Sequence, residues 1–205
     1  AGTGTSGFSG DHGPAADAMI GYINGLAVNI AGDLFMAEHD YHCIRKVSGD
    51  SHIITTIIGV CDPNNYGYVG DNVTATIAKL NGPVGVAVNN GEIVIADTFN
   101  HRIRGVTTDG MIHTIVGNGV AGFSGVSGIA IDAKLNPTST AVTNNGEIII
   151  SDSANQKIRK VDRNGIITSI AGNGMKGFGG DGASALTALL NGPRDVVVTD
   201  TGDVL

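Results

Sequence analysis

An all-β fold built from a repeated unit of four short strands follows from three features of this 205-residue chain. A glycine closing an apolar run recurs at Gly2, Gly59, Gly117 and Gly172, at spacings of 57, 58 and 55 residues. Shortly after each comes a Gly-aromatic-x-Gly, at 7–10, 67–70, 122–125 and 177–180. Asp11, Asp71 and Asp181 follow three of these, and Val126 follows the other. Glycine is also abundant, at 32 residues without a three-residue period, which marks tight turns and not a collagen helix. Constant spacing with constant turn chemistry is the mark of a repeat architecture.

Each unit reads as four strands in order. The first is small and β-branched (Leu26 to Val28, Gly85 to Val88, Thr140 to Val142, Asp195 to Val198), as suits burial on both faces. A Gly turn leads to the second strand, at Leu34 to Ala37, Ile93 to Ala96 and Ile148 to Ser151. The third strand, at Ile44 to Val47, Ile103 to Val106 and Ile158 to Val161, alternates apolar with polar, so one wet face is expected. Gly49-Asp50, Asp109-Gly110 and Asn164-Gly165 are hairpin pairs that accept positive φ. The fourth strand closes the unit at Ile53 to Ile58, Ile112 to Val116 and Ile166 to Ala171.

A lone four-stranded sheet leaves both faces bare, whereas stacking such sheets around an axis buries them. The prediction is a β-propeller of four-stranded antiparallel blades forming a partial, open ring. The chain 1–205 is one segment, with repeats at about 1–58, 59–116, 117–171 and an incomplete 172–205. A β-sandwich does not explain identical turns at a fixed period.

The formal net charge of −7 is unfavourable for a nucleic-acid binder, which needs cations against phosphate. No apolar run approaches a membrane span, and no targeting segment is evident, so localisation stays open. Cys43 and Cys61 are expected to be two small buried apolar side chains, with a single bridge as the alternative.

The segments Asn81 to Val88 and Ile95 to Arg104, with Asn100-His101 between strands, resemble the core signature of NHL repeats. The loop Gly7 to Ala15 is similar to the Gly-Asp-Gly-Gly-Pro-Ala loop of the long NHL subtype. The resemblance covers nearly the whole chain and implies about 3.5 blades, where NHL propellers usually have five to seven. Either a fragment or association with a second copy would follow, the open blade faces favouring self-association.

The turn between second and third strands gathers Glu38, His42 and Arg45, then Asp97, His101 and Arg104, then Asp152, Gln156 and Arg159. An acid, a His and an Arg together could act on a substrate. Repetition in every unit favours a structural network, with the acid holding turn amides and the Arg spanning blades. Glu38, His42, Arg45, Asp97, His101, Arg104, Asp152 and Arg159 are therefore the candidate binding residues, and no catalytic residue is assigned. His39, His42 and His101 are considered as metal ligands and set aside, as they fall in turns and not on inner strands. No metal or cofactor is expected.

Seven of the 12 Lys and Arg lie on or beside third strands: Arg45, Lys46, Arg102, Arg104, Lys157, Arg159 and Lys160. They read as a solvated strand with blade-to-blade ion pairs. What the resemblance implies is a non-enzymatic scaffold for a protein, peptide or glycan ligand, contacted on the loops into the first strand and between the second and third. A metal-dependent propeller lyase or hydrolase and a single-stranded RNA binder are the alternatives, RNA being disfavoured for want of stacking aromatics.

Overall fold

The repeat glycines turn the chain where one unit passes to the next. In the computed structural model, which describes residues 1–205, Gly2, Gly59, Gly117 and Gly172 all have positive φ. Each donates its N–H to a carbonyl of the coming unit, at Ala15, Ala75, Ala130 and Ala185. At the last three, an added Cβ would collide with the carbonyl oxygen of His42, His101 or Gln156. Only glycine tolerates both demands.

Blade 1 holds β1 (Ile23–Val28), β2 (Leu34–Glu38), β3 (Cys43–Val47) and β4 (Ile54–Ile58) in sequential antiparallel order. Blade 2 holds β5 (Val73–Thr74), β6 (Pro83–Asn89), β7 (Glu92–Asp97), β8 (Arg102–Val106) and β9 (Met111–Val116). Blade 3 holds β10 (Ser127–Ile129), β11 (Pro137–Val142), β12 (Ile148–Asp152), β13 (Lys157–Val161) and β14 (Ile166–Ala171). Blades 2 and 3 thus have five strands, not the expected four. The loop entering each unit adds a short edge strand, β5 against β9 and β10 against β14, with a single Pro14–Ile53 bridge in blade 1. This pairing covers the outer edge that a four-stranded blade would leave open. In the fourth unit a hairpin returns through a Val198–Val204 bridge.

Apolar faces fill the space between blades. Phe35, Ala37, Ile44 and Ile58 of blade 1 meet Ile95, Val106 and Ile112 of blade 2, with Ala75, Ala78 and Leu80 between them. The same layer forms between blades 2 and 3 around Ile103, Val116, Leu135 and Ile150. Inner strands approach so closely that a Cβ on Gly85 would lie 2.7 Å from the Ser139 Cα. Burial on both faces holds better for β6 and β11 than for β1, whose alternate residues are exposed. Residues 24–28, 84–88, 138–142 and 194–198 line a central concavity of about 970 Å³.

Three expectations are corrected. Cys43 and Cys61 form a disulfide, with Cα atoms 5.0 Å apart, tying the start of β3 to the link after β4. The third strands have no wet face, because Arg45, Arg104 and Arg159 are fully buried under the loop that enters their unit. In the blade 1 hairpin the positive φ belongs to His52 and not to Gly49, whereas Gly110 and Gly165 have it as expected.

Candidate functional site

The acid of each unit ends the second strand and the Arg lies on the third, two residues beyond the acid's own partner, so the two are diagonal neighbours on one face of the strand pair. Glu38 Oε2 accepts from the Gly21 N–H at 2.9 Å, Asp97 Oδ1 from Asn81 N–H at 2.7 Å, and Asp152 Oδ1 from Asn136 N–H at 2.7 Å. These amides belong to the loop into the first strand. The acid therefore clamps the two loops of one face together. The three Arg side chains stand 3.3, 3.7 and 3.6 Å from Glu38, Asp97 and Asp152.

The guanidinium does not span blades. It reaches outward within its own unit, to the loop that carries the Gly-aromatic-x-Gly. Arg45 donates to Asp11 and to the Ser9 carbonyl, and Arg104 to Asp71 and the Gly70 carbonyl. Arg159 reaches the Gly125 carbonyl but finds Val126 where the others find an acid. The loop aromatic covers each cation: Phe8, Tyr68 and Phe123 lie 4.9, 4.8 and 4.9 Å from Arg45, Arg104 and Arg159. Such stacking adds about 0.5–2 kcal/mol per pair. The recurring aromatic therefore shields a buried ion pair.

Burial sets the charges of this network. It pushes the carboxyls of Glu38 and Asp152 up from their ordinary values and that of Asp97 up to about 6, against the opposing pull of turn amides and Arg. Asp11 and Asp71 are also penalised by burial, but hydrogen bonds from Thr56 and Arg45, and from Tyr68 and Thr114, bring both below the usual carboxylate range. Glu38, Arg45, Asp97, Arg104, Asp152 and Arg159 have zero exposure. Among the eight candidate binding residues, only His42 and His101 reach the surface.

Those two occupy left-handed positions, with φ of 56° and 53°, and Gln156 holds the same place at 54°. His42 Nδ1 accepts from the Gly82 N–H of the next blade at 3.0 Å, and Gln156 Oε1 from the Gly192 N–H at 2.6 Å. His101 Nδ1 is buried without a partner. His39 Nδ1 pairs with Asp40 at 2.7 Å. The three histidines do not converge, and no three His, Cys, Asp or Glu side chains gather within reach of one metal ion.

The third-strand cations are likewise engaged. Arg45, Arg104, Lys157 and Arg159 are buried, Lys46 pairs with Asp33, Lys160 with Glu147, and Arg102 stacks on Tyr68 at 4.0 Å. The ion pairs lie within blades, not between them.

What the loop face does expose was not anticipated. Tyr22, His39 and Phe99 form a row across blades 1 and 2, with neighbouring ring centroids 6.3 and 5.5 Å apart. Tyr22 is 61% and Phe99 56% exposed. Beside Phe99 a pocket of about 360 Å³ opens toward blade 3 and the fourth unit. Nothing in the repeat pattern marks Tyr22 and Phe99, since they do not recur.

A family model described as the teneurin NHL domain matches residues 59–123, which are blade 2 and its flanks. The sequence of that blade is thus similar to NHL repeats. The chain is 35% identical over 138 residues to Protein SUPPRESSOR OF QUENCHING 1, chloroplastic, of Arabidopsis thaliana, covering 64% of the chain and 13% of that protein. It is 32% identical over 118 residues to NHL repeat-containing protein 2 of Gallus gallus, covering 57% of the chain and 16% of the relative. The chain thus spans a small part of the curated relatives it matches. A crystal structure of an auxiliary nutrient binding protein from Bacteroides thetaiotaomicron superposes with a TM-score of 0.66 at 16% identity, over 96% of the chain and 50% of that protein. That likeness concerns the propeller fold. No helix of the chain is long and apolar enough to cross a membrane.

Proposed function

We propose that this chain is a non-enzymatic binding scaffold whose ligand, a protein, peptide or glycan, docks on the face formed by the loops into the first strand and between the second and third. The single observation that carries this reading is the exposed row Tyr22–His39–Phe99 on that face. Large rings at an exposed site cost water contact without burying core, and they are typical anchors of recognition surfaces. The buried acid–Arg network beneath them supports the reading in a different way. Gly21 sits beside Tyr22, and Asn81, besides giving its amide to Asp97, accepts from the Phe99 N–H with its carbonyl, while the Gly21 amide is held by Glu38. The rings are therefore mounted on loops pinned to the sheet, and a rigid mount lowers the ordering cost of binding.

The test is a glycan array and a peptide-display selection on the 205-residue chain, each repeated with the double variant Y22S/F99S. Ligands lost by the variant, at unchanged thermal stability, are the expected result. Ligands that survive the substitution would place binding elsewhere, the central concavity being the next surface to map.

A further inference from the structure

The loops that enter the first strands differ by one residue. Blade 2 has Asn81-Gly82-Pro83 and the fourth unit Asn191-Gly192-Pro193, but blade 3 has Asn136-Pro137. The register confirms the shortening: Pro83 faces Asp97 and Pro137 faces Asp152, so the glycine alone is missing. That glycine supplies the N–H that closes on His42 and on Gln156. Proline has no N–H to replace it. Between blades 2 and 3 the latch is therefore open, His101 Nδ1 stays unpaired, and the pocket of about 360 Å³ lies at this place.

We propose that this notch is a subsite for a saccharide, a proposal that rests on the loop face being the binding face. The chemistry of the lining selects that class. Asn136, Ser153, Lys176 and Asn191 line the pocket with side chains that make no hydrogen bond inside the protein, and the ring of His101 lies among them with its Nδ1 buried and unpaired. There is no carboxylate in the lining, and its two hydrophobic side chains are Phe99 and Ala154. A polyhydroxylated ring fits such a set, because every hydroxyl both donates and accepts. The exposed ring of Phe99 at the edge offers a flat apolar face for sugar C–H groups. The volume lies in the usual range of small-ligand sites, about 300–1,000 Å³.

The experiment is an amide-resolved NMR titration of the 205-residue chain with cellobiose and N,N′-diacetylchitobiose, beside the acidic dipeptide Asp-Glu. Saturable shifts at Phe99, His101, Ser153 and Asn191 with either sugar are expected. A variant with glycine inserted between Asn136 and Pro137 restores the missing N–H, closes the latch on His101 and should weaken sugar binding at least tenfold. Phe99→Ala should do the same and serves if the insertion disturbs folding. Shifts with Asp-Glu alone would overturn the saccharide assignment in favour of an anion site at Lys176 and His101. Sugar shifts that ignore both variants, or no shifts with any probe, would overturn the subsite. If glycan or peptide hits still depend on Tyr22 and Phe99 in that case, the scaffold reading stands and only the notch fails.

Discussion

The Nδ1 of His42 accepts the N–H of Gly82 across the junction between blades 1 and 2, at 3.0 Å. His101 occupies the same left-handed place one blade on and has no such donor. The two histidines thus form an internal control for an inter-blade hydrogen bond.

Alanine at either position suffers the same backbone strain, since φ is 56° and 53°. His42→Ala additionally strands the Gly82 N–H. It should cost about 1 kcal/mol more than His101→Ala. Urea denaturation of the two variants measures the difference directly. Equal losses would mean that the latch contributes nothing to blade docking.

Arg159 lacks the outer acid that Asp11 gives Arg45 and Asp71 gives Arg104, because Val126 stands in its place. Burial accordingly pulls Arg159 below the ordinary guanidinium range, with Asp152 alone opposing it. Val126→Asp restores the pattern of the other units. Val126 is exposed, so the new carboxylate keeps much of its hydration, and the gain should be about 1 kcal/mol. A melting temperature that fails to rise would show that Asp152 suffices.

Which parts of this were legible in the sequence follows from what each signal encodes. The repeat glycines and hairpin pairs report backbone φ, a local property, so the unit boundaries and strand order could be read residue by residue. Arg45, Arg104 and Arg159 misled because strand alternation tells only which side a residue faces. What covers that side here is a loop some 34 residues away, which alternation does not describe. The aromatic of that loop was visible as a motif, but its role depends on the cation it covers. Cys43 and Cys61 are 18 residues apart, and spacing does not tell whether two thiols meet. The missing glycine before Pro137 was in plain view, yet it acquires meaning only when His101 is seen to face that loop.

Asp97 provides a titration that can be isolated. Burial raises its folded-state value to about 6 from an ordinary 3.8. The folded protein therefore binds this proton more tightly than the unfolded chain. The associated stability is fully present below about pH 4 and is lost as pH rises through about 6. Asp97→Asn stays uncharged throughout and keeps an acceptor for Asn81. Relative to that variant, the native protein should lose about 3 kcal/mol between pH 4 and pH 7. Asp11, Asp33 and Asp71 act oppositely, being lowered in the fold, but they are common to both proteins and cancel in the difference. Parallel pH profiles of the unfolding free energy would mean that Asp97 remains ionised down to the ordinary carboxylate range.

The Cys43–Cys61 disulfide closes a loop of 18 residues that contains β4. Its second cysteine lies in the turn where Gly59 hands the chain to blade 2. The bond therefore pins the outermost long strand of blade 1 and the start of the next unit to the same point. Loop-closure entropy of this size corresponds to about 3 kcal/mol in the unfolded chain. Both cysteines are buried and Cys61 Sγ touches only the Thr56 hydroxyl among polar groups, so Cys43→Ala/Cys61→Ala should keep the fold while losing that amount. Denaturant titration of the double variant, and of the native chain with and without dithiothreitol, should give the same midpoint for the variant and the reduced protein. A reduced protein as stable as the oxidised one would show that packing of Ile44 and Ile58 against blade 2 holds this corner unaided.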